Sequence, residues 1–281
     1  MRLPMVSSMV VFIGLGGAMG CADQIDADPV AVESAAITDG VLDGDDHPAV
    51  VLILMEVDGV PMYRCSGTLI APRYVLTAGH CTGEEGEFSG MRVFLESDVG
   101  AGRGTTNNWP FAGDNAVEAK AWHTHPAYTS AAFFLHDVGV IELAEPVVLD
   151  DANDYGVLPS AGQLDALRPR NSTRFTAVGY GLQRVNPAQV VAQLVRMQAN
   201  PHLIQINTGF TGPFSLLLSN NAATGGTCFG DSGGPNFLGA SNVVAGVTSF
   251  GLNGSCGGTG GVFRLDRADV LTFIASVVGP D

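Results

Sequence analysis

Short apolar runs broken by turn residues recur along most of the chain. In Ala49-Val50-Val51-Leu52-Ile53-Leu54-Met55 no polar position interrupts the run, which reads as a strand buried on both faces. Further strands are predicted over 65–70, 74–78, 91–95, 116–122, 138–143, 174–180, 190–197, 242–250 and 261–265. Gly, Pro, Asn and Asp separate most of them, and no strand–helix–strand spacing is present. The chain therefore reads as all-β, a sandwich or barrels. Only the tail changes period. Val270, Leu271, Phe273, Ile274, Val277 and Val278 fall on one helical face, with Asp266 as the expected cap and Asp269 three residues on.

Two N-terminal segments stand outside this pattern. Residues 3–22 carry no charge, follow Arg2 and centre on the apolar run from Met9 to Leu15, which reads as an export signal over 1–21. Ala18-Met19-Gly20-Cys21 resembles a bacterial lipoprotein box, with Ala18 where Leu is usual, so Cys21 is a candidate for lipidation as an alternative to simple secretion. Residues 22–36 hold Asp23, Asp26, Asp28 and Glu33 and few large apolar side chains, as a linker or propeptide would. The folded part is expected to run from Ile37 to the end.

Composition narrows the class. The chain has 281 residues, 46% of them hydrophobic, enough for one large core or two smaller ones. Its 28 Asp and Glu outweigh 13 Lys and Arg, and the net charge of −15 argues against nucleic acid or an anionic membrane as partner. Of five cysteines, Cys21 belongs to the leader; Cys65, Cys81, Cys228 and Cys256 remain, an even number suited to two disulfides outside the cytosol. Three pairings are open at this stage. Zinc is the weaker use, because no Cys-x-x-Cys pair is present.

Candidate chemistry concentrates in Gly225-Gly226-Thr227-Cys228-Phe229-Gly230-Asp231-Ser232-Gly233-Gly234-Pro235. Glycines flanking Ser232 let backbone amides approach a reacting atom, so Ser232 reads as a presented nucleophile. Residues 230–234 also satisfy the Gly-x-Ser-x-Gly elbow of α/β-hydrolases, but there the histidine follows the serine, and no histidine follows Ser232. The base must lie upstream. His80, in Val75-Leu76-Thr77-Ala78-Gly79-His80-Cys81, ends an apolar strand beside a cysteine; Asp137, in Leu135-His136-Asp137-Val138-Gly139-Val140, stands at the entry to another. Each residue alone is unremarkable.

In this order and at this separation, the three motifs resemble the trypsin/chymotrypsin-like serine protease family over about Ile37 to the C-terminus. The resemblance implies two packed six-stranded antiparallel β-barrels, about 37–150 and 151–281, with a C-terminal α-helix and the site between them. It implies a triad of His80, Asp137 and Ser232, an oxyanion hole from the N–H groups of Gly230 and Ser232, and disulfides Cys65–Cys81 and Cys228–Cys256. It further implies a zymogen cut between Ala36 and Ile37, whose new ammonium pairs with Asp231. Ala36 replaces the usual Arg or Lys there, and the start Ile37-Thr38-Asp39-Gly40 departs from Ile-Val-Gly-Gly.

On the same resemblance the base of the specificity pocket is Gly226, where a trypsin-type enzyme carries Asp. The walls are Ser249-Phe250-Gly251 and Gly261. An open, uncharged slot is expected, with large apolar P1 residues preferred over Arg or Lys. Neither cofactor nor metal is expected; the partners are peptide substrates and an activating protease, and the protein is expected to act as a monomer. His123 and His125 are placed in a surface loop over 122–128, and Glu84-Glu85-Gly86-Glu87 is read as a solvated acidic turn rather than a calcium site. The alternative function is a catalytically silent homologue that serves as a binding module.

Overall fold

The computed structural model describes residues 40–186, 189–208 and 211–279. The segment read as an export signal, Cys21, the acidic segment and Ile37 lie outside the described residues. In chain order the strands of the first half are β1 (Val41–Leu42), β2 (Val50–Val57), β3 (Val60–Ala71), β4 (Tyr74–Thr77), β5 (Gly90–Phe94), β6 (Ala116–Thr124) and β7 (Gly139–Leu143). A one-turn helix, α1 (Gly79–Thr82), follows β4, and another, α2 (Val99–Gly102), follows β5. Strands β2-β3-β4-β7-β6-β5 close into an antiparallel barrel. Val50 to Met55 are buried on both sides of β2, which explains why that run contains no polar residue.

The second half contributes β8 (Arg170–Gly179), β9 (Arg184–Asn186), β10 (Gln189–Val191), β11 (Met197–Ala199), β12 (His202–Thr208), β13 (Gly212–Asn220), β14 (Pro235–Leu238), β15 (Val244–Gly251) and β16 (Gly258–Arg264). The order β8-β12-β13-β16-β15-β14 returns to β8 through a β14–β8 pairing, so a second six-stranded barrel closes around Phe175, Leu203, Leu216, Leu218 and Val262. Strand β1 leaves the first half and joins this sheet through β11. Conversely, α3 (Ala268–Val278) crosses back to pack on β7, and Val270 and Ile274 are buried in the apolar cluster that fills the first barrel and extends into the second.

Between the barrels lies a buried polar junction. Arg196, 2% exposed, donates through Nε to Asp43 at 2.7 Å, and through its other nitrogens to the Val50 carbonyl, the Tyr180 hydroxyl and the Gly44 carbonyl. Burial opposes the charge on Asp43, but His47 and Arg196 overcome it and hold its carboxyl below the usual range. A buried charge at this depth is tolerated because the guanidinium makes four hydrogen bonds, one of them to the opposite charge of Asp43.

Three expectations need correction. The strand expected over 190–197 is two, β10 and β11, because Arg196 turns its guanidinium to Asp43 and its N–H to the Ser97 carbonyl instead of continuing the ladder. Asp266 does not cap α3; its carboxylate takes the Arg264 guanidinium and the Leu164 N–H, and Arg267 holds the cap position without a side-chain bond. His123 lies in β6, opposite Val140 of β7, rather than in a loop; only from His125 does the chain leave the sheet.

Candidate active site

The first barrel presents His80 on α1, immediately after β4. Its backbone is drawn close to the start of β7: a Cβ on Gly79 would stand 3.1 Å from the Val138 nitrogen and 2.9 Å from the Tyr128 ring, so only glycine lets the two segments meet. The disulfide Cys65–Cys81, with Cα atoms 6.2 Å apart, ties α1 to β3 on its other side. His80 Nδ1 lies 3.0 Å from Asp137 Oδ2, and the His80 main-chain N–H donates to Oδ1 at 2.9 Å. Asp137 is fully buried and accepts a third donor, the Ser249 hydroxyl from β15 of the second barrel, at 2.5 Å. One carboxylate thus orients the imidazole and joins the barrels.

A quarter of the His80 side chain still meets solvent. Burial works against its cation, yet the charge and hydrogen bond of Asp137, with the charge of Glu87 behind them, raise the imidazole pKa above its ordinary value. Phe133 packs edge-on against the ring at 6.3 Å.

The second barrel presents residues 228–234. Gly233 takes φ +77°, and a side chain there would collide with Thr77 Oγ1 and the Ser66 carbonyl; Gly230 takes φ +107°. Ser66, buried in β3, anchors this loop. Its N–H donates to the Ser232 carbonyl at 2.8 Å, and its hydroxyl donates to the Gly230 carbonyl at 2.8 Å while accepting from the Tyr180 N–H at 3.0 Å. Asp231 is buried and accepts N–H bonds from Gly181 (3.1 Å) and Cys228 (3.3 Å); burial nonetheless pushes its carboxyl up to about 8. The disulfide Cys228–Cys256, Cα atoms 5.0 Å apart, closes the loop against the 251–258 segment.

His80 and Ser232 line one cavity of about 450 Å³. No hydrogen bond joins them, as is common before substrate tightens such a site. Of the expected pocket residues, Ser249, Phe250 and Gly251 line the cavity, and Gly226 and Gly261 do not; of the expected oxyanion-hole residues, Ser232 lines it and Gly230 does not. A Cβ on Gly261 would collide with the Phe250 ring, and one on Gly226 with Asn220. Among the described residues, the only clustered metal-type ligands are Cys65, His80 and Cys81, whose two sulfurs form the disulfide.

This arrangement coincides with a known pattern: the trypsin profile matches residues 44–268. The chain belongs to the trypsin family. Brachyurin of Leptuca pugilator is 30% identical over 69% of this chain and 79% of that protein, and chymase of Rattus norvegicus is 30% identical over 66% and 68%. Among solved structures, HL collagenase covers 87% of this chain and 100% of its own, with a TM-score of 0.67 at 21% identity. The fold and the order of the motifs are those of the family, and both expected disulfides are formed. No helix among the described residues is long and apolar enough to cross a membrane.

Residues that sequence reasoning missed are Ser66, Ser249 as a donor to Asp137, and Asn220. Ser249 was assigned to the pocket wall, and nothing local marks its hydroxyl as aimed at a carboxylate 112 residues away. Asn220 precedes Asn221 in what reads locally as a turn.

Proposed function

We propose that the protein is an exported serine endopeptidase acting through an acyl-enzyme. Ser232 attacks the peptide carbonyl. His80 takes its proton and later returns it to the leaving amine, while Asp137 fixes the Nδ1–H tautomer and stabilises the imidazolium. Backbone N–H groups of Gly230 and Ser232 receive the developing oxyanion. The observation that carries this reading is the bond from His80 Nδ1 to a buried, triply hydrogen-bonded carboxylate, with Ser232 in the same cavity. An imidazole so held has its other nitrogen available to a substrate-bound serine. Retention of all three groups speaks against the silent binding module.

The protein acts as a monomer on peptide or protein substrates and is made as a zymogen, activated when a protease cuts between Ala36 and Ile37. The fully buried Asp231 carboxyl, pushed up by burial despite two backbone N–H bonds and the charge of Arg64, supports that reading, since an incoming ammonium would favour its ionised form. The second barrel lines the cavity with uncharged residues only, which supports a preference for Phe, Tyr or Leu at P1 over Arg or Lys. The test is hydrolysis of a P1-varied peptide panel by protein starting at Ile37, beside Ser232→Ala. Activity should fall on the order of a millionfold in the variant, by analogy with an unrelated enzyme that uses the same triad. Activity that survives Ser232→Ala refutes the assignment.

A further inference from the structure

Asn220 ends β13 and pairs with Gly258 of β16. It is 1% exposed, yet it lines the cavity that holds Ser232, together with Thr227 and Thr259. Its Nδ2 donates to the Thr227 carbonyl at 2.5 Å, which fixes the carboxamide across the segment containing Gly226. A Cβ on Gly226 would stand 2.5 Å from Asn220 Oδ1 and 2.7 Å from Asn220 Cα, and would collide with Cγ. The contact with Cα is decisive, because rotating the Asn220 side chain cannot relieve it. The space a side chain at 226 would take is already filled from the neighbouring strand, which is why Gly226 does not itself line the cavity.

We infer that Asn220, rather than Gly226, determines which P1 side chain the enzyme accepts; the inference rests on the protease reading above. The neutral Asn220 carboxamide, with Thr227 and Thr259, gives the second-barrel end of the cavity an uncharged polar boundary; the charged lining residues, Arg64 and Glu87, both come from the first barrel. A P1 guanidinium or ammonium buried there would lose its water without gaining a counter-charge, a cost an aromatic or aliphatic side chain does not carry. The same geometry prevents position 226 from supplying that counter-charge, since an acid there has no room. A carboxylate on β13 at position 220 would face the cavity, whereas one at 226 would not.

Three variants test this on a panel of peptides with Phe, Leu, Trp, Arg or Lys at P1. Asn220→Asp keeps the shape and adds a carboxylate, and should raise the Arg:Phe ratio of kcat/KM by about a hundredfold. Asn220→Ala enlarges the cavity and should raise the Trp:Leu ratio several-fold. Gly226→Asp should yield no gain on Arg. Each variant is checked by its melting temperature and by labelling of Ser232 with a phosphonate, so that a folded, competent site is established before ratios are compared. If the Asp variant misfolds, Asn220→Ser reads the same boundary through the Trp:Leu ratio. Folded Asn220 variants with P1 ratios within twofold of wild type overturn the inference, as does a Gly226→Asp protein that cleaves after Arg. Wild-type protein that hydrolyses none of the panel and takes up no phosphonate overturns the protease reading, and the inference falls with it.

Discussion

Replacing Ser66 with alanine separates the two jobs this residue does. Its side chain is fully buried, and the hydroxyl makes two bonds, to the Gly230 carbonyl and from the Tyr180 N–H. Each neutral bond contributes about 1 kcal/mol net, and a buried partner left unpaired costs ~1–3 kcal/mol. Allowing for partial relaxation, Ser66→Ala should lose about 2–4 kcal/mol of stability, a sizeable share of the roughly 5–15 kcal/mol a domain possesses. The bond from the Ser66 N–H to the Ser232 carbonyl belongs to the backbone and survives. Ser232 therefore stays tethered while Gly230, with its φ of +107°, loses its anchor. Losing an oxyanion donor outright costs roughly 10²–10³ in kcat, so a loosened one should cost about tenfold, with KM nearly unchanged. Urea unfolding gives the first number, and steady-state kinetics on a Phe substrate the second. A stability loss below about 0.5 kcal/mol, well under one net bond, would refute the packing argument; kcat within twofold of wild type would refute the link to Gly230.

Two further outcomes follow from the ionisations. His80 must be neutral to accept a proton, and its pKa is raised, so kcat/KM should climb with pH along an acid limb centred above 6.5. Asp137→Asn removes the charge that raises it; the limb should move down, and kcat should drop by about 10⁴, the loss known for this substitution in a family relative. An unmoved limb contradicts the electrostatic account. For Asp231 the folded-state pKa, about 8, lies above the ordinary 3.8, so the folded state binds the proton more tightly and stability declines as pH rises from 3.8 towards 8. On the proposed zymogen reading, the new ammonium of protein starting at Ile37 would offset this. It should melt higher at pH 7 than protein starting upstream of Ala36, and identical melting curves at pH 7 would remove the support for a zymogen.

Much of the fold was legible because local rules and tertiary demands agree. The run from Ala49 to Met55 reads as a doubly buried strand and is one, as β2. The strands missed are β1, β9, β12, β13 and β14: β1 and β9 are only two and three residues long, β12 carries bulges against β13, and β14 begins at Pro235 directly after the Gly233-Gly234 turn. Asp266 misled because an acid ahead of an amphipathic run looks like a cap, whereas the buried Arg264, two residues back, is the stronger claimant for its carboxylate.

The sequence by itself determined the candidate reactive groups and their order. His80 beside Cys81, Asp137 before β7 and Ser232 among glycines are local signatures, since a one-turn helix, a strand entry and a tight turn are each specified by adjacent residues. What only the tertiary structure decided are the relations across distance. Ser249 completes the environment of Asp137, Ser66 holds the Gly230 carbonyl from the opposite barrel, and Asn220 fills the space beside Gly226. The physical reason is that hydrogen bonds and excluded volume depend on which strands barrel closure places side by side. Strand β13 reaches the cavity only because the second barrel closes, and no pattern within 220–226 reveals that an asparagine there lines the cavity that holds Ser232.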